Sequence, residues 1–159
     1  MNKRLCVTAT IVAAAVVVGS AHATFKGANG LLVYQERVGD HDQLVSARPD
    51  GSGQRQLTRF ADSDAVWGVW SPDGQHLLYT TERGGSPNLF TKPIEGGGPV
   101  EPMVTNPGPI FSEDWSSDNR WVAYTLNNAR NGRDIWLKAV GSADPPKPFL
   151  NSPFEEGGP

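Results

Sequence analysis

The residues of this chain that could do chemistry are few. Asp62 and Asp64 flank Ser63, and Glu113 adjoins Asp114. Such carboxylate pairs could jointly hold a cation or a cationic peptide. Beyond residue 23 only His41 and His76 could serve as an imidazole base, and no G-x-S-x-G elbow accompanies them. His41 falls between Asp40 and Asp42 in an expected loop, where a solvated turn explains the residues better than a metal ligand set. His76 opens an apolar run, as a packed or edge imidazole does. The glycine clusters GANG, GGSP and EGGG read as turns, because no helix start with Lys and Ser or Thr follows them. No catalytic residue, metal site or cofactor is therefore assigned. Trp67 stands apart: it is expected just ahead of a strand, where an exposed indole could stack on a ligand. Trp70, Trp115, Trp121 and Trp136 are expected on strands, packed in the core.

The elements that position these residues follow from composition and repetition. Gly and Pro make up 31 of the 159 residues and are spread between short apolar runs, which predicts many turns and short strands. Five Trp, six Phe and three Tyr supply more apolar area than a solvated tail needs, so a folded chain is expected rather than a disordered one. Lys3 and Arg4, the apolar stretch from Leu5 to Gly19 and the Ala21-His22-Ala23 sequence form an export signal, with cleavage after Ala23 and Thr24 as the mature N-terminus. The apolar stretch is short of the roughly 20 residues that span a bilayer, so no membrane span is expected after cleavage. Cys6 lies early in that stretch, leaving residues 24–159 without cysteine and hence without disulfides or thiolate metal sites. Those residues carry 12 Lys and Arg against 17 Asp and Glu, a balance that argues against nucleic acid as a partner.

A shift of 45 residues lays WSPDGQHLLYT (Trp70 to Thr80) on WSSDNRWVAYT (Trp115 to Thr125), with five of eleven positions identical. The same shift backwards lays Leu32 on Leu77, Tyr34 on Tyr79 and Leu44 on Leu89. Each copy reads as a strand ending at the tryptophan, a turn, and a second strand (Leu31 to Gln35, His76 to Thr80, Trp121 to Thr125). A third strand follows (Gln43 to Ala47, Asn88 to Thr91, Asp134 to Ala139), then a short fourth holding Leu57, Met103 or Phe149. In the turn, Pro72 presets φ, Asp73 caps backbone amides and Gly74 tolerates positive φ; Asn119 can reach the same left-handed geometry in the third copy. The second strands are apolar on nearly every residue, which predicts that both of their faces are covered, as in stacked blades. A period of this length with four strands per unit is the inventory of a β-propeller.

WSPDGQHLLYT, SPNLFTKPIEGGG, DGSGQRQLT and DIWLKAV together resemble the TolB-type (WD40-like) propeller repeat. The resemblance covers residues 24–159, in units of about 24–69, 70–114 and 115–159, and departs from the pattern at Ser117, Asn119 and FKGANG (Phe25 to Gly30). It implies an all-β fold: a partial propeller of about three four-stranded antiparallel blades in an incomplete ring. The loops holding Asp62, Asp64, Glu113 and Asp114 are expected just before the first strand of successive units, opening on one end of the central channel beside Trp67. The function implied is an exported, non-enzymatic module, periplasmic or secreted, that binds a protein or peptide partner in the bacterial envelope. The alternative is the leading propeller of a prolyl-oligopeptidase-like peptidase or of a carbohydrate-active enzyme. Pro153 to Pro159 resembles the lead-in to a further unit, so the array is expected to be incomplete, either truncated or closed into a ring by self-assembly.

Overall fold

The computed structural model describes residues 30–83, 85–95, 98–128 and 132–156. The expected export signal of residues 1–23, with Cys6, and most of FKGANG lie outside the described residues. Among the described residues all regular structure is β, in three antiparallel sheets that follow one another along the chain. The first holds β1 (Leu32–Val38), β2 (His41–Ala47) and β3 (Arg55–Gln56). The second holds β4 (Ala65–Trp70), β5 (His76–Thr81), β6 (Asn88–Pro93) and β7 (Glu101–Val104). The third holds β8 (Ile110–Trp115), β9 (Trp121–Asn128), β10 (Gly132–Ala139) and β11 (Lys147–Leu150). Strands are hydrogen-bonded in sequence order within each sheet, as in propeller blades. Among the described residues the first blade holds three strands rather than the four expected.

The turn between the first and second strands of a blade forms as its residues dictate. The Gly74 amide donates to the Ser71 carbonyl at 2.8 Å and the Asn119 amide to the Ser116 carbonyl at 2.8 Å, with φ of 69° and 61° respectively. Asn119 thus adopts the left-handed geometry expected of it. The Ser71 hydroxyl donates to Asp73 at 2.5 Å and accepts the His76 amide at 2.8 Å, while Asp73 accepts the Gln75 amide at 2.9 Å. Ser116 and Asp118 repeat these contacts with the amides of Trp121 and Arg120. The Ser116 hydroxyl first, then the Arg120 amide and guanidinium, pull the Asp118 carboxyl down to about 2.

The core lies between blades. One cluster joins Val33, Leu44 and Leu57 of the first blade to Ala65, Leu77 and Tyr79 of the second. The other joins Val69, Leu78, Leu89 and Val104 of the second to Ile110, Trp115, Val122 and Tyr124 of the third. The two interfaces are the same interface 45 residues apart: Leu44 corresponds to Leu89, Leu77 to Val122 and Tyr79 to Tyr124. Each fully buried side chain of this kind stabilises the stack by about 1.5–3 kcal/mol. Because alternate residues of β5 face opposite neighbours, the strand is buried from Leu77 to Thr81. That coverage was expected of all three second strands and holds fully only for β5. In β1, Gln35 to Val38 are exposed, and in β9 Trp121 and Ala123 are half-buried, since only one face of each meets another described blade. Trp121 belongs to neither cluster and instead carries the Lys147 ammonium 4.2 Å above its ring. At the far end the Glu156 amide donates to the Arg133 carbonyl at 2.7 Å, just as the Ile110 amide meets the Pro87 carbonyl at 2.9 Å one blade earlier.

Burial pushes the Tyr79 and Tyr124 hydroxyls up to about 12 from their ordinary 10.0. As pH rises from about 10 to about 12, the unfolded chain gives up protons that the folded chain keeps, so stability is complete below about pH 10 and falls through this window. Denaturant midpoints are expected to be flat from neutrality to about pH 9.5 and to decline above pH 10. The decline should shrink in the Tyr79→Phe and Tyr124→Phe variants; an equally steep decline in both would refute the assignment.

Candidate functional site

Where the first strands of two blades lie side by side, an aromatic pair is presented by a strained backbone. β4 and β8 both carry a bulge of one extra residue, between Val66 and Val69 and between Ser112 and Asp114. At the β4 bulge Trp67 has φ of 50°, a left-handed conformation that is an outlier for a bulky side chain. Such a backbone costs of order 1–3 kcal/mol and persists only where its surroundings over-determine it. Here both neighbouring blades hold it. The Trp67 amide donates to the Gln35 side-chain oxygen at 3.3 Å, and the Trp67 carbonyl accepts the Ser112 hydroxyl at 2.5 Å. One blade on, the Ser112 amide donates to the Thr80 hydroxyl at 3.2 Å, the same link between equivalent positions. The Trp67 indole, 47% exposed, stands at 77° to the Phe111 ring with centroids 4.8 Å apart. This edge-to-face contact leaves the Trp67 indole partly open, an aromatic notch on the first strands of two blades suited to stacking against an apolar or ring-bearing group.

Trp67 therefore lies within β4 rather than ahead of it; the extra residue of the bulge turns its side chain outward. Glu113 and Asp114 also lie within β8 rather than before it. Glu113 accepts the Thr125 hydroxyl, and Asp114 accepts the amide of its neighbour Trp115 at 2.7 Å. Asp62 and Asp64 do precede β4. Asp62 is exposed and accepts the Ser63 hydroxyl at 3.4 Å. Asp64 accepts the Asp42 amide at 2.9 Å and lies 3.1 Å from His41 Nδ1, which ties the first blade to the lead-in of the second. The Asp42 amide above all, with His41 beside it, holds the Asp64 carboxyl below the usual carboxylate range. His41 opens β2 instead of sitting in a loop. The structure does not bring the two acidic pairs together: one stands at the start of β4, the other near the end of β8. Among the described residues no group of three metal-ligating side chains occurs.

Gln35, Phe111 and Ser112 complete the notch and were not singled out by sequence reasoning. The 45-residue shift that pairs Gln35 with Thr80 and Trp67 with Ser112 held the signal for two of them.

No protein-family model matches the chain. A stretch of 72 residues is 32% identical to the tricorn protease homolog 1 of Streptomyces coelicolor, covering 44% of this chain and 7% of that protein. TolB from Acinetobacter baumannii superposes with a TM-score of 0.60 at 17% identity, over 76% of this chain and 30% of that one. A putative TolB from Agrobacterium tumefaciens superposes at 0.64 and 20% identity, over 77% of this chain and 43% of that one. The chain thus spans less than half of each of these proteins, and the superpositions establish its fold as that of the TolB-type propeller.

Proposed function

From the TolB-type propeller fold we propose that the chain is an exported module of the bacterial periplasm or envelope, binding a protein or peptide segment at the first strands of its blades rather than catalysing a reaction. The observation that carries this reading is Trp67. A large aromatic side chain is held half-exposed by a backbone conformation that folding alone would avoid, and side chains from both adjoining blades hold it there. Exposed, rigid aromatics of this kind are the usual anchors of binding energy. No helix among the described residues is long and apolar enough to cross a membrane. A second reading, in which the propeller precedes a peptidase, is favoured by the stretch that resembles the tricorn protease homolog.

The test is a peptide library selected on the protein, followed by Trp67→Ala. Selected peptides are expected to lose at least about 2 kcal/mol of affinity, roughly thirtyfold, with the thermal melt nearly unchanged. Trp121→Ala, an exchange outside the notch, should leave their affinity as it was. Peptides that bind the Trp67→Ala protein as tightly as the parent would overturn the proposal.

A further inference from the structure

A second surface lies at the boundary of the first two blades, among β3, β6 and the Trp70 end of β4. Arg55 on β3, Arg59 just after it and Lys92 on β6 converge where the first blade meets the second. The Lys92 ammonium donates to the Leu57 carbonyl at 2.7 Å, and the Arg55 guanidinium donates to the Ile94 carbonyl at 3.3 Å, so each side chain reaches across the boundary between blades. None of the three forms an ion pair with a carboxylate among the described residues, although residues 24–159 hold 17 Asp and Glu against 12 Lys and Arg. Burial, with Arg55 and Arg59 nearby, pulls the Lys92 ammonium below its ordinary value, and no carboxylate offsets that effect.

Beyond those two bonds to carbonyls, three cations that repel one another stand here on an otherwise acidic chain without a carboxylate partner among the described residues. Two of the three Lys92 N–H groups and most of the Arg55 fork remain free to donate. Of the three cations, Arg55 also lines a groove of about 590 Å³ together with Trp70, His76 and Ile94, with Asp73 and Glu95 in its wall. A fork and an ammonium side by side match a pair of carboxylates. The acidic remainder of the chain would repel a long polyphosphate, whereas a short acidic stretch of polypeptide needs only this flank.

We propose that the flank formed by Arg55, Arg59 and Lys92 docks an acidic segment of a protein partner, the segment's carboxylates pairing with the guanidinium and ammonium groups. This surface is distinct from the Trp67 notch, so either can fail without the other. The probe is a blocked tetrapeptide of alternating aspartate and glutamate, titrated at low salt while the indole N–H resonances of the five tryptophans are followed. The Trp70 resonance, from the groove wall, is expected to move to saturation while that of Trp67 stays in place. The shift should weaken several-fold in molar salt, where charges are screened within about 3 Å. It should vanish in the Arg55→Gln, Arg59→Gln double variant, whose exchanges are at exposed side chains and give up only the Arg55 contact to the Ile94 carbonyl. An unmoved Trp70 resonance, or an equal shift in the double variant, would overturn the proposal. So would an equal shift with inorganic phosphate, which would mark a site for simple anions only.

Discussion

Replacing Tyr79 with alanine is expected to destabilise the protein by about 3–5 kcal/mol, a large part of the roughly 5–15 kcal/mol that holds a domain folded. Tyr79 is fully buried at the centre of β5, stacked with Phe60 and Phe90, with centroids 6.2 and 6.4 Å away. Removing it empties the interface between the first two blades. Two companion exchanges separate packing from chemistry. The Tyr79 hydroxyl is buried without a hydrogen-bond partner, so Tyr79→Phe should be neutral or stabilising, by up to about 1 kcal/mol. Tyr34 occupies the equivalent position in the first blade but is only half-buried, so Tyr34→Ala should cost about 1 kcal/mol or less. Denaturant unfolding of the three variants checks the set. Equal losses at Tyr34 and Tyr79 would mean that the central strand is not shielded by its neighbours.

Gly68→Val is expected to cost about 1–3 kcal/mol by overpacking, and more if the blades cannot separate. A Cβ at Gly68 would sit 3.0 Å from both Leu44 Cδ atoms and from Val33 Cγ2, so the first two blades meet there with no room for a side chain. The two further methyl groups of valine can be accommodated only by pushing the first blade off β4. The exchange also adjoins Trp67, so loss of the Trp67 amide contact to Gln35 should accompany the fall in stability. A denaturant midpoint lowered with an unchanged slope is the expected result. A midpoint equal to the parent's would show that the interface is looser than these contacts imply.

What was legible in the sequence was whatever repeats as residue identity. Tyr79 and Tyr124, Trp70 and Trp115, and the two Ser-x-Asp turns occupy equivalent places because the same side chains meet the same neighbours in each copy. Even the Asn119 departure was readable, since a left-handed turn residue is a local demand. The bulges were not. One extra residue in a strand leaves composition unchanged and shifts every later side chain, which is why Trp67, Glu113 and Asp114 were expected before strands that in fact contain them. Coverage of β1 was equally hidden, because burial of a strand face depends on what stands opposite and not on the strand. The meeting of Arg55 with Lys92 joins positions far apart in the chain that no motif links.

The claim on which the rest stands is that β5 is sealed on both faces by flanking blades while β1 is sealed on one. Amide hydrogen exchange in the native state reads this directly. Amides of Leu77 to Thr80 are expected to exchange only on global unfolding, and those of Gln35 to Val38 orders of magnitude faster. Comparable exchange in the two segments, with β5 opening as readily as the outer half of β1, would contradict the stacked-blade account.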